Sequence, residues 1–263
     1  MTTIYSFCSL SDCTDGQAPT GALVQGADGN FYGTTFYGGA GTACFNPHPG
    51  ALGCGTVFEV TPGGTLTTLH SFCVQAGCLD GQNPSTGLTL GSDGNLYGTT
   101  YNGGSAPSAH CSDNPCGTIF EVPTPSGPLT TLYSFCVKGE QCTTGGGPVA
   151  PLMQDTNGDF YGTTTWGGNS SGNNGTVFRL STGLGPFVKT LPTSGAVGAA
   201  IKILGTGLTG ATSVTFNGTA ATFTVVLGSE ITTTVPAGAT SGAVQVTTPN
   251  GTLSSNGSFV VTP

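Results

Sequence analysis

Side chains able to move a proton or grip an ion are few in this sequence. Its 263 residues hold three His, twelve Asp or Glu and four Lys or Arg, for a net charge of -8. Charged residues make up 6% of the chain, against roughly 25% in an ordinary soluble domain. Glu59 and Glu121 sit in matching contexts, Thr-Val-Phe-Glu-Val and Thr-Ile-Phe-Glu-Val, and Arg179 holds the same place in Thr-Val-Phe-Arg-Leu. Two such carboxylates could act as acid and base, but alternation along a strand turns each toward solvent. The Arg could attract the Glu of a neighbouring copy, as opposite charges across strands do. Asp155-x-Asn157-x-Asp159 has the spacing of a calcium loop but lacks the following Gly and bidentate Glu, so a turn is the preferred reading. His48, His70 and His110 occupy no equivalent positions and belong to no local Ser/His/Asp signature; His48 and His110 sit in the inserts, and a surface His with no catalytic role is the default reading. Tyr37, Asn102 and Trp166 each precede a Gly-Gly pair and, with Tyr32, Tyr97 and Tyr161, form a candidate platform for sugars. Packing between repeats is the favoured alternative. No catalytic residue set and no cofactor are expected.

Four basic residues are the wrong electrostatics for a nucleic-acid binder. No apolar run is long enough to span a membrane. The ten cysteines fall into five close pairs: Cys8/Cys13, Cys44/Cys54, Cys73/Cys78, Cys111/Cys116 and Cys136/Cys142. Zinc would need two pairs to converge, and Cys-x-x-Cys spacing is absent. Disulfides in an oxidising compartment are the favoured reading, giving an extracellular or cell-surface location. Thr2-Thr3-Ile4-Tyr5-Ser6-Phe7 follows Met1 with no basic or apolar leader. A mature form with its signal peptide removed, or a fragment, is therefore expected.

What must position these residues is a repeat. Gly26-Ala27-Asp28-Gly29-Asn30-Phe31-Tyr32-Gly33-Thr34-Thr35 recurs as Gly91 to Thr100 and again as Asp155 to Thr164, with a period of about 64 residues. Each copy continues into Gly-Gly and an alternating strand, and the first two then pass through a Pro/Gly turn into a strand ending in Ser-Phe, Leu66 to Phe72 and Leu129 to Phe135. Asp28-Gly29 and Asp93-Gly94 predict hairpins with type I′ turns. Three cysteine pairs follow the Ser-Phe strand; Cys44/Cys54 and Cys111/Cys116 lie in the long inserts after Gly-Gly, and the short third insert, from Asn169 to Asn174, has none. The expected fold is all-β: three propeller-blade-like repeats, at about residues 1–66, 67–129 and 130–185, followed by an Ig-like sandwich over 186–263.

The pattern G-x-D-G-N-x-Y-G-T-T, G-G, G-T-V-F-E-V and T-T-L-x-S-F resembles the GloVer tandem repeat of large exported bacterial proteins with varied anchoring signals. That resemblance covers residues 1 to about 185 and brings no biochemical activity with it. From about Pro186 the text turns to Gly205-Thr206-Gly207-Leu208, Val214-Thr215-Phe216-Asn217-Gly218 and Val244-Gln245-Val246-Thr247-Thr248, which is similar to the IPT/TIG family of immunoglobulin-like domains. Asn-Gly-Thr/Ser triplets at Asn174, Asn217, Asn250 and Asn256 read as turns.

Three units are too few to close a propeller. The Ser-Phe strand nevertheless occurs at Thr2–Phe7, Thr67–Phe72 and Thr130–Phe135, with an equivalent at Phe187–Leu191. One strand is left over, and the segment marked by Thr2, Ile4 and Phe7 could be donated to another copy. The expectation is a non-enzymatic structural protein that self-assembles through strand edges into a filament or surface layer. The alternative is a surface module binding glycan or protein.

Overall fold

The computed structural model describes residues 1–44, 52–105, 116–136, 142–168 and 174–263. His48, His110, Cys111 and most of the third insert lie outside the described residues. The chain is all-β and forms two compact units, one of Met1–Met153 with Tyr161–Arg179 and one of Gln154–Phe160 with Leu180–Pro263.

The first sheet contains β1 (Gln17–Pro19), β2 (Val24–Gln25), β3 (Phe31–Tyr37), β4 (Thr56–Val60) and β5 (Leu66–Ser71), with β1 and β2 both on one side of β3 and β4 and β5 following on the other. The second runs β6 (Thr89–Leu90), β7 (Leu96–Thr100), β8 (Thr118–Val122), β9 (Thr130–Ser134). The Ser-Phe strand is thus the outermost strand of its sheet, joined antiparallel to β4 with Val57 opposite His70, and to β8 with Ile119 opposite Tyr133. The third sheet has β10 (Gly146–Pro148), β11 (Met153–Gln154), β12 (Phe160–Trp166) and β13 (Thr176–Leu180). Among the described residues it has no further strand outside β13. Its sequence equivalent, β14 (Val188–Leu191), pairs instead with the C-terminal strands. Residues 1–6 form no strand, contrary to the expectation for Thr2–Phe7. A strand needs a ladder partner, and within the described residues none lies beside this segment.

The Asp-Gly turns also differ from expectation. Only Gly29 (φ +85°) and Gly94 (φ +86°) are left-handed; Asp28 and Asp93 are not. The Gly26 amide donates to the Asn30 carbonyl at 2.9 Å, enclosing a three-residue loop with a left-handed Gly at its end. The reason is local: the Asp28 carboxylate accepts the Asn30 amide two residues on, at 3.1 Å, which fixes the Asp in a right-handed turn.

The same residues recur at both junctions between successive units and, with Phe7, at the start of the first unit. Phe7 packs edge-on against Phe58, Phe72 against Phe120, and Phe135 against Phe178, with ring centroids 4.9, 5.2 and 5.2 Å apart. Space for those rings comes from the Gly of Tyr-Gly-Thr-Thr. A Cβ on Gly33, Gly98 or Gly162 would overlap the ring of Phe58, Phe120 or Phe178 and crowd Leu23, Leu88 or Leu152. None of these three glycines has a positive φ; room, not backbone freedom, is what they supply. Tyr32, Val57, Phe72, Leu88, Leu96 and Phe120 join one buried cluster, which also takes in Cys54, Cys73 and Cys78.

The C-terminal strands are β14 to β23. After β14 come β15 (Ser194–Ala196), β16 (Ala200–Gly205), β17 (Ser213–Phe216), β18 (Thr219–Ala220), β19 (Phe223–Leu227), β20 (Glu230–Thr234), β21 (Val244–Thr248), β22 (Gly251–Ser254) and β23 (Val260–Thr262). They make two four-stranded sheets, β14-β16-β20-β19 and β18-β17-β21-β22, with a parallel pair of β15 and β23. Alternate residues of both sheets, among them Val188, Ile203, Ile231, Phe216 and Val246, bury one apolar cluster with Phe259.

Candidate functional site

Bonds join Cys8 to Cys13, Cys44 to Cys54, Cys73 to Cys78 and Cys136 to Cys142, as the spacing predicts. The proposed partner of Cys116, Cys111, lies outside the described residues. Among the described residues, the Cys, His, Asp or Glu atoms close enough to share an ion are the sulfurs of Cys116, Cys136 and Cys142. Two of these three are bonded to each other. Asp155, Asn157 and Asp159 form a turn of the kind seen in the other units: the Asp155 amide donates to the Asp159 carbonyl at 2.9 Å, and the Asn157 side-chain oxygen accepts the Asp159 amide at 2.8 Å.

Glu59 and Glu121 are not the solvent-facing pair that alternation predicts. Each is half-buried and accepts a hydrogen bond from the turn asparagine, Asn30 at 2.5 Å and Asn95 at 2.6 Å. Those asparagines also donate to Asp28 and Asp93, which accept the hydroxyls of Tyr32 and Tyr97 at 2.7 and 2.9 Å. The carboxylates are therefore committed to bracing a turn. Tyr32 and Tyr97 are buried beneath them, so they offer no face to a sugar. The remaining platform positions fall in three different repeats: Tyr37 ends β3, Asn102 lies just past β7 in a bridge to Gln82, and Tyr161 and Trp166 are on β12.

His70 lies on β5, within the predicted strand Thr67–Phe72. It stands where the other units have Tyr5 and Tyr133. Its Nε2 lies 2.9 Å from the Asp80 carboxylate, as the Tyr5 hydroxyl lies 2.7 Å from Asp15 and that of Tyr133 3.0 Å from Thr144. Asp80 also accepts the Cys73 amide, and Asp15 the Ser9 amide at 2.9 Å. The link is a recurring brace between the Ser-Phe strand and the disulfide loop that follows it. A cavity of about 660 Å³ opens beside it, lined by Leu69, His70, Val74, Leu79, Asp80 and Thr131.

These braces fix the pH range of stability. The Tyr32 hydroxyl holds Asp28 below the ordinary carboxylate value. Burial works to raise Asp15, but hydrogen bonds from Tyr5, Ser9 and Leu10 outweigh it and leave it lowered. Burial, reinforced by Asp28 and Asp93, pushes Tyr32 and Tyr97 above the ordinary tyrosine value. Lowered carboxylates stabilise the fold above their unfolded pKa of about 3.9, and that contribution is lost as pH falls through the folded value. Raised tyrosines stabilise it below about pH 10, and that contribution is lost as pH climbs past it. Urea midpoints should therefore be level from about pH 4 to 10 and fall on both sides, with Tyr32→Phe shrinking both falls. Unchanged limbs in that variant would show that the brace contributes nothing.

The outer faces of the first and third sheets complete the geometry. Leu88 and Leu152 are 6% and 4% exposed at their junctions, yet the equivalent Leu23 on the first sheet is 53% exposed. Val57 and Ile119 are 0% and 1% exposed, yet the equivalent Val177 on β13 is 78% exposed. Each junction buries one such Leu face and one such Val/Ile face. The run of three units leaves one of each bare.

The sequence matches the Gloeobacter/Verrucomicrobia repeat over residues 1–225. The chain belongs to that family. The Gloeobacter/Verrucomicrobia repeat match takes in all three sheets and continues past residue 185, where the repeats were expected to end. None of the curated proteins matches the chain. An X-ray structure named for a gluconolactonase is similar over 80% of this chain and 56% of that one, at 14% identity and a TM-score of 0.31. The chain spans little more than half the length of that protein, and so slight a likeness carries no argument. No helix among the described residues is long and apolar enough to cross a membrane.

Proposed function

We propose that this Gloeobacter/Verrucomicrobia repeat protein is a non-enzymatic extracellular structural protein whose copies stack head to tail, the bare Val177 face of one meeting the bare Leu23 face of the next. The observation that carries the reading is the exposure pattern: the same apolar positions are buried at both internal junctions and open at both ends. Such a contact joins different surfaces, and repeated from copy to copy without closing into a ring it makes a filament.

Ala18 supports it. Its φ of +56° is one that a non-glycine residue rarely adopts, yet it matches Asn83 (+57°) and Gly147 (+61°). At the internal junctions those two residues donate their amides to the carbonyls of Cys54 and Cys116, at 2.7 and 2.8 Å. The first unit thus keeps the docking backbone at a cost of roughly 1–2 kcal/mol, with Asn174 as the equivalent acceptor at the far end of another copy. Several disulfides suit an oxidising exterior. In this reading the C-terminal unit is an Ig-like sandwich, similar to the IPT/TIG family.

Light scattering over a concentration series tests the reading. Mean mass should climb with concentration, and negative-stain images of the concentrated protein should show unbranched rods. A mass fixed at one protomer from micromolar to near-millimolar concentration overturns it.

A further inference from the structure

Resting on that head-to-tail reading, we propose that Thr2–Phe7 of one copy adds to the edge of β13 in its neighbour, supplying the outermost strand that its third sheet lacks. Two observations meet here. The third sheet ends at β13, whereas the equivalent strands β4 and β8 are each covered by a further strand, β5 or β9. Those covering strands read Leu66-Thr67-Thr68-Leu69-His70-Ser71 and Thr130-Thr131-Leu132-Tyr133-Ser134. The N-terminal segment reads Thr2-Thr3-Ile4-Tyr5-Ser6 and forms no strand within its own chain.

The segment is already held as a covering strand would be relative to the unit after it. Phe7 stacks on Phe58 as Phe72 stacks on Phe120. Tyr5 bonds Asp15 as His70 bonds Asp80. Its downstream contacts are those of β5, and what it lacks is the ladder behind it. In the first two sheets that ladder sets Ser71 or Ser134 opposite Thr56 or Thr118, and His70 or Tyr133 opposite Val57 or Ile119. After a bulge it sets Thr67 or Thr130 opposite Glu59 or Glu121. The register across copies follows: Ser6 opposite Thr176, Tyr5 opposite Val177 and Thr2 opposite Arg179. Addition of an extended segment to an open sheet edge gives backbone hydrogen bonds and, through alternate side chains, a defined register. It also covers Val177 and removes an exposed edge.

Hydrogen exchange on the unaltered protein separates this from stacking alone. In the assembled state, alternate amides in 2–7 and 176–180 should exchange at least tenfold more slowly than in the dilute protein. If rods form while the 2–7 amides keep their dilute-state rates, the copies stack without exchanging a strand: the inference fails and the proposed function stands. If nothing assembles, both fail. A mixture of chains that each carry one added cysteine, Thr2→Cys with Arg179→Cys, provides the register test. Opposed ladder residues lie about 4.5–5.5 Å apart at Cα, within disulfide reach. Mild oxidation should link the mixture into dimers, while pairing Ile4→Cys with Arg179→Cys should give at least tenfold less product. Equal yields from the two pairs would overturn the register.

Discussion

If copies stack as proposed, Leu23→Asp and Val177→Asp should each leave the protein monomeric at concentrations where the unaltered chain assembles, and an equimolar mixture of the two should yield dimers that grow no further. Each variant loses one end and keeps the other, so the mixture contains a single compatible pair of faces. Burying a leucine or valine contributes about 1.5–3 kcal/mol, and an unpaired carboxylate in its place opposes docking by several kcal/mol more. A loss of about 3 kcal/mol already weakens association more than a hundredfold. Both side chains are exposed in the single copy, at 53% and 78%, so the substitutions should leave the protomer's own stability within about 0.5 kcal/mol. Light scattering of the separated and mixed variants reads the result directly. Long assemblies from either variant alone, or from the mixture, would show that copies meet elsewhere.

Reduction should abolish the folding of the repeat unit and spare the C-terminal one. Loops closed by bonds between cysteines five to ten residues apart each contribute about 2–3 kcal/mol on a chain-entropy account. The four described bonds then supply roughly 9 kcal/mol, against a total stability of about 5–15 kcal/mol for an ordinary domain. Cys54, Cys73 and Cys78 also lie inside the apolar cluster between the first two units, so freeing them disturbs packing as well as chain entropy. No cysteine follows Cys142. Calorimetry with and without a phosphine reductant should show one transition lost and the other unmoved. If the two transitions shift together, the units do not fold independently; if neither shifts, the bonds are ornaments on an already sufficient core.

The repetition, the all-β character and the cysteine pairing could be read from spacing, because each is written in consecutive residues. Bonds between distant residues could not. Asn30 and Glu59 are 29 positions apart, and alternation along β4 says only which face Glu59 occupies, not that a turn asparagine reaches over it. The role of His70 was hidden by residue type. Lining up Tyr5, His70 and Tyr133 as one column, with Asp15, Asp80 and Thr144 as another, is the signal that would have found the brace. The uncovered β13 depended on where β14 pairs. Phe187–Leu191 suits both the third sheet and the C-terminal one by pattern, and only the ladder with β16 shows which it joined.

The aromatic pairs and the glycines beneath them make every junction self-sufficient, since Phe58, Phe120 and Phe178 are seated by the same neighbours in turn. In a molecule built this way length is a free variable. Duplicating or deleting a module alters how many junctions the run contains without asking any remaining surface to be redesigned.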